Sequence, residues 1–387
     1  MTRMKFTKER LFAAAYSLAA LRAVPFLAMA GLAIPAAASE DLETCRNAQG
    51  DNAIATCSSV IDSGGLKGHD LAVAYLSRGL ARVKMGNYKA SLPDFDNAIL
   101  HDADFDEAFV DRGVAYQEMG QHDRAVADFT RAIELNPKSL SAHLNLGVAY
   151  SSMQSYPKAL GAYKQAIKLD PKNARALNNR CNVYINLEQF DQAIDDCTQA
   201  IGVDPQYLYA FVGRGLAYWH TKKYDLAIED YSSAIRLDPN WPSTYFARGN
   251  AYLDKRLYDK AIDDFGEVIR LDDKRDDAWN NRCWARAIKG QLEQALSDCN
   301  RALSLQPNEA VTLDSRGFTY LKLGKLDLAI ADYDAALKLS PTLVTALYGR
   351  GFARLKKGDA TGGDSDIKDA KQLKPSIADD FARYGVI

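Results

Sequence analysis

Glycine recurs on a 34-residue grid at Gly79, Gly113, Gly147, Gly215, Gly249, Gly317 and Gly351. The two grid points without glycine are Cys181 and Cys283. A fixed period of this length means an array of one supersecondary unit, each copy buried only against its neighbours. With the grid residue as position eight, repeat one begins at Ala72 and repeat nine ends at Ile377. The register does not slip across residues 72–377.

Other columns keep the same period. Position eleven is tyrosine in six repeats, and arginine at Arg82, Arg286 and Arg354. Position twenty is alanine except at Ser91 and Gly363. Position twenty-four is aromatic in six repeats, cysteine at Cys197 and Cys299, and Ile367 in repeat nine. Position thirty-two is proline except at Ala103 and Asp273. Positions four, eight and eleven share a helix face, as do twenty, twenty-four and twenty-seven. Small residues at eight and twenty let two helices approach, and the aromatics fill the space around them. Turn signals such as MGN, KGQ and LGK separate the helices, and proline ends the second one. Pro93 breaks the pattern inside the second helix of repeat one, where the first turn is its least costly place.

These columns resemble the tetratricopeptide repeat. The resemblance implies an all-α fold, a right-handed α-solenoid of nine 34-residue helix-turn-helix repeats. Residues 39–71 are expected to form an N-terminal capping hairpin, and 378–387 a C-terminal capping helix.

One pair of columns departs from that family, which usually has an apolar residue at position seven. Here it is arginine in every repeat but the third, and position twenty-three is aspartate in every repeat but the third. Repeat three has Leu146 and Ala162 instead. The coincidence predicts an Arg–Asp bridge between the two helices of each repeat, against the alternative of unrelated charges on a solvated face.

The six cysteines fall on the same register. Cys181 and Cys197 occupy positions eight and twenty-four of repeat four, and Cys283 and Cys299 those of repeat seven. Facing positions place the Cα atoms near the roughly 5.5–6 Å of a disulfide. Cys57 aligns with position twenty-four, and Cys45 lies near the facing face. The register therefore selects Cys45–Cys57, Cys181–Cys197 and Cys283–Cys299 from fifteen connectivities. Buried thiols and a zinc site are the alternatives. The sequence has no CxxC, and its five histidines do not cluster.

Compartment bears on this choice. Residues 1–38 begin with Arg3, Lys5, Lys8 and Arg10, continue with an apolar run and end in three alanines. That order predicts a signal peptide cleaved between Ala38 and Ser39. An uncleaved anchor would place Arg22 mid-span, with Pro25 and Pro35 interrupting the helix. The expectation is an exported, periplasmic protein, without membrane attachment after cleavage, in a compartment where disulfides persist. The body is weakly acidic and has no basic block, which argues against a nucleic-acid partner.

No P-loop, GxSxG, HExxH or dinucleotide fingerprint occurs, so no enzyme, cofactor or metal is expected. In the family, positions two, five, nine and twelve of the first helix line the inner, concave face. Here they supply Arg175, Asn178, Asn182, Tyr209, Trp219, Phe246, Asn250, Asn280 and Trp284. Rings and amides suit an extended peptide, and similar surfaces bind sugars. The co-chaperone members' carboxylate clamp needs lysine at position five, and no repeat has it. The expectation is a protein- or peptide-binding scaffold, with a cell-envelope accessory that binds glycan or a wall-modifying enzyme as the alternative.

Overall fold

A computed structural model describes residues 36–48 and 50–386. The described residues are helical, with turns between the helices and no strand. The predicted signal peptide lies outside them, apart from its last three residues, which start the helix Ala36–Asn47. That helix pairs with Gly50–Asp62, Cys45 and Cys57 join the two, and the next helix already begins at Gly68. The chain divides into two compact units, with the boundary between Ala210 and Phe211.

The sequence register is also the helix register. Eight first helices begin at position one of their repeats: Asp106, Leu140, Ala174, Leu208, Pro242, Asp276, Ala310 and Val344. Repeat one differs, because its first helix already starts at Gly68. Every second helix begins sixteen residues after position one, from Tyr88 to Ala360. Pro93 is the sixth residue of the helix Tyr88–His101, just past the first turn.

Within each unit, second helices pack against their hairpin partners and against the first helix of the next repeat, as Tyr88–His101 does against Gly68–Lys84 and Asp106–Glu118. The column logic appears as close contacts. A Cβ on Gly147 would stand 2.5–2.8 Å from the ring of Tyr163. On Gly215 it would stand 2.8 Å from the ring of Tyr231. No side chain fits there without moving the aromatic. In repeats four and seven both partners are replaced at once, and disulfides span the same gap. Their Cα separations are 5.6 Å for Cys181–Cys197 and 5.4 Å for Cys283–Cys299.

The turn between the two helices uses left-handed backbone at position fifteen. Five repeats place glycine there, for example Gly290 at φ 82°. Four do without it, at Gln154, Glu188, Lys222 and Arg256, with φ of 56–62°.

All eight predicted Arg–Asp bridges are present. In repeat five, Arg214 Nε and Nη2 donate to the two carboxylate oxygens of Asp230 at 2.9 and 2.7 Å. The aspartates are buried: Asp94, Asp128, Asp196, Asp230, Asp264, Asp298, Asp332 and Asp366. The guanidinium lies between rings, as Arg248 does, 5.8 Å from both Tyr245 and Tyr252. A planar cation with five donors can satisfy a carboxylate and stack on rings together, which explains arginine rather than lysine. The same arginine also reaches the preceding repeat. Arg112 bonds Asp96, and Arg350 bonds Asp334, each at 2.7 Å.

Candidate functional site

The first helices of the repeats carry the candidate residues, and each unit has its own set. In the first unit the set is centred on repeat four. Asn173 caps the helix Ala174–Asn186 by accepting from the backbone N–H of Ala176 at 2.9 Å. Arg175, Asn178 and Asn182 follow at spacings of three and four, so they share one face. Asn178 is 1% exposed, and neither its Oδ1 nor its Nδ2 has a hydrogen-bond partner among the described residues. Asn182 is 1% exposed, and its Oδ1 also lacks one. Its backbone carbonyl accepts from Asn186 Nδ2 at 2.9 Å. Burial lowers the pKa of Arg175. Nearby Tyr207 is pushed up to about 12, mainly by burial, and packs edge-on to Tyr209 at 5.7 Å.

Such burial is costly. An unsatisfied buried polar group costs roughly 1–3 kcal/mol. Leu76 and Leu144 occupy the equivalent position in repeats one and three and leave nothing unpaired. Asn178 therefore weakens its own unit, and both hydrogen-bonding functions of its amide stay unspent beneath the inner face.

In the second unit the predicted residues separate into three groups. Trp219 Nε1 donates to Asp254 at 2.8 Å, and Asn281 Nδ2 donates to Asn250 Oδ1 at 2.9 Å. Asn280 is 3% exposed, and its Oδ1 has no partner among the described residues. Phe246 lies in the core beside Phe265, with Arg275 4.7 Å above its ring. Trp284 is 5% exposed, packed on Phe318 at 4.7 Å and edge-on to Tyr384 at 5.4 Å. A cavity of about 690 Å³ brings Trp219, Asn250, Asn280 and Trp284 together with Asp254 and Asp314.

Position six was not singled out from sequence, yet it supplies Asn281, the partner of Asn250. The doubled asparagine of Asn280–Asn281 was the available signal. The reach of Tyr384, in the last segment, back to Trp284 left no periodic trace. The inner surface also holds an acidic group in repeat two. Partial desolvation and its hydrogen bond with Asp106 push Glu107 up to about 7, although the side chain still reaches solvent. Burial and the charge of Glu107 push Asp111 up to about 7. No group of three or more His, Cys, Asp or Glu among the described residues could hold a metal ion.

Three family models, all described as tetratricopeptide repeat, match the chain. One covers residues 110–174 and 246–310, a second 221–255 and 317–358, and a third 174–207. Together they cover more than half of it. No curated protein matches. Among solved structures, the chain is similar to a tetratricopeptide repeat protein from Parabacteroides merdae. The identity is 18% and the TM-score 0.50, over 64% of this chain and 98% of that one. It is also similar to a chain of the APC/C hetero-tetramer Cut9-Hcn1, at 16% identity and a TM-score of 0.51, over 86% of this chain and 82% of that one. A third likeness is to YrrB, described as a TPR protein with an unusual peptide-binding site. There the identity is 26% and the TM-score 0.43, over 49% of this chain and 97% of that one.

Proposed function

From the premise that the chain belongs to the tetratricopeptide repeat family, we propose that it is a non-catalytic scaffold that holds an extended stretch of a partner protein. The stretch lies along the inner faces of the first helices. The observation that carries this reading is Asn178, buried with both amide atoms unspent. A residue in extended conformation offers its own N–H and C=O on one edge, which a primary amide satisfies together. A carboxylate ligand would satisfy only the Nδ2 donor and leave Oδ1 unpaired. Asn182 continues the row one turn further and asks for a second donor.

The scaffold works in an exported, oxidising compartment, in the periplasm. The three disulfides support this part of the reading, because such bonds persist outside reducing cytosol. The order of charge and apolar residues in 1–38 supports it independently.

Photocrosslinking from position 182, in the native cell envelope, tests the ligand class. A polypeptide adduct is expected. An adduct to glycan alone would reject the peptide reading. Recovery of the protein from the periplasm with Ser39 as its first residue tests the export reading, and retention of residues 1–38 in the cytoplasm would reject it.

A further inference from the structure

The last described segment does more than cover the end of the array. A cap on repeat nine needs to meet only that hairpin. The seven-residue helix Ile377–Arg383 and the residues after it reach two repeats further back. Phe381 packs on Tyr348 of repeat nine at 4.7 Å and on Phe318 of repeat eight at 5.8 Å. Tyr384 stands 5.4 Å from Trp284 of repeat seven. Tyr348 is a position-five residue, and Phe318 and Trp284 are position-nine residues, so all three belong to the inner face. Lys322 donates from Nζ to the backbone carbonyl of Tyr384 at 2.8 Å and to that of Ile288 at 3.2 Å. An array side chain thus grips the segment's backbone, as a binding face grips a bound peptide.

We propose that the segment 376–386 is an intramolecular ligand of the inner face at repeats seven to nine. It must leave before a partner chain can run along that stretch. This inference rests on the proposed function. Between the segment and the face lies the cavity of about 690 Å³, lined by Asn250, Asn280 and Trp284 on one side and by Ser376, Asp380 and Tyr384 on the other. The occupant marks the chemistry that fits: a short helix with aromatic residues three apart, followed by an accessible carbonyl. A helix of seven residues is too short to persist alone, so it is held by Ile377, Phe381 and Tyr384 and can be released in one step.

Hydrogen exchange on the full chain tests the release. Amides of 378–386 are expected to exchange about tenfold faster than those of Val344–Lys356, and Tyr384→Ala should speed only the former. A synthetic peptide spanning residues 376–387 is the binding probe. It should bind the Tyr384→Ala chain about tenfold more tightly than the unaltered chain, a shift of about 1.4 kcal/mol. Exchange of the segment only together with Val344–Lys356, or equal peptide binding by both chains, would overturn the proposal. Exchange needs no partner and reads the second unit, so its result is separate from the fate of the Asn178 reading in the first.

Discussion

Arg286 donates to Asp298 at 2.7 Å, on the carboxylate that Arg282 already grips at 2.8 and 2.9 Å. Arg82 and Arg354 do the same for Asp94 and Asp366. The three repeats with arginine in place of tyrosine at position eleven thus give their buried aspartate a second cation. Removing one partner of a buried pair costs roughly 3–5 kcal/mol. Arg214→Leu in repeat five should approach that cost, because tyrosine fills position eleven there. Arg282→Leu in repeat seven should cost clearly less, because Arg286 still neutralises Asp298. Asp230→Ala added to Arg214→Leu should recover much of the loss, since repeat three holds Leu146 and Ala162. Urea midpoints of the three variants check the order.

The disulfides and the glycine–aromatic contacts are alternative fillings of one gap. Replacing Cys283 and Cys299 by serine should cost about 3 kcal/mol. Replacing them instead with glycine and phenylalanine, the pair found in repeats one, two and six, should recover most of it. The thermal midpoint of that second variant should then lose its dependence on reductant at this repeat.

Left-handed backbone strains any residue but glycine by about 1–2 kcal/mol. Arg256, at φ 62°, carries that strain in repeat six. Arg256→Gly should therefore raise the denaturation midpoint, and Gly290→Ala in repeat seven should lower it.

Glu107 and Asp111 set a pH dependence. Their folded pKa values lie near 7, above their ordinary carboxylate values. The folded state therefore holds protons that the unfolded chain releases. Stability from these groups is full below the unfolded pKa and falls as pH rises towards 7. Asp111→Asn should stabilise the protein at pH 8, and the difference should vanish near pH 4. Melting curves across this range check the sign.

The periodic part of the molecule was legible because a 34-residue column repeats its own evidence nine times. The Arg–Asp bridges are the clearest case, since the joint exception at Leu146 and Ala162 exposed the coupling. The second role of arginine at position eleven was visible as a substitution but not as a bond, because only geometry places Arg286 and Arg282 on one oxygen pair. The candidate site was legible as a face, not as a set of environments. Asn178 and Phe246 share position five, yet one keeps its polar atoms unspent and the other stacks in the core. Trp284 could not be read as covered, because Tyr384 belongs to a segment outside the repeat register.

One substitution separates binding from folding most directly. Asn178→Leu removes a buried amide without a partner and installs the residue that repeats one and three place there. Stability should rise by roughly 1–3 kcal/mol. Affinity for a peptide selected on the unaltered chain should fall about tenfold or more, as one pair of backbone hydrogen bonds is lost. Both quantities can be read from a single titration calorimetry and urea series. A gain in stability with a loss of affinity supports Asn178 as a binding residue held at a structural cost. Unchanged affinity, or a loss of stability, would contradict it.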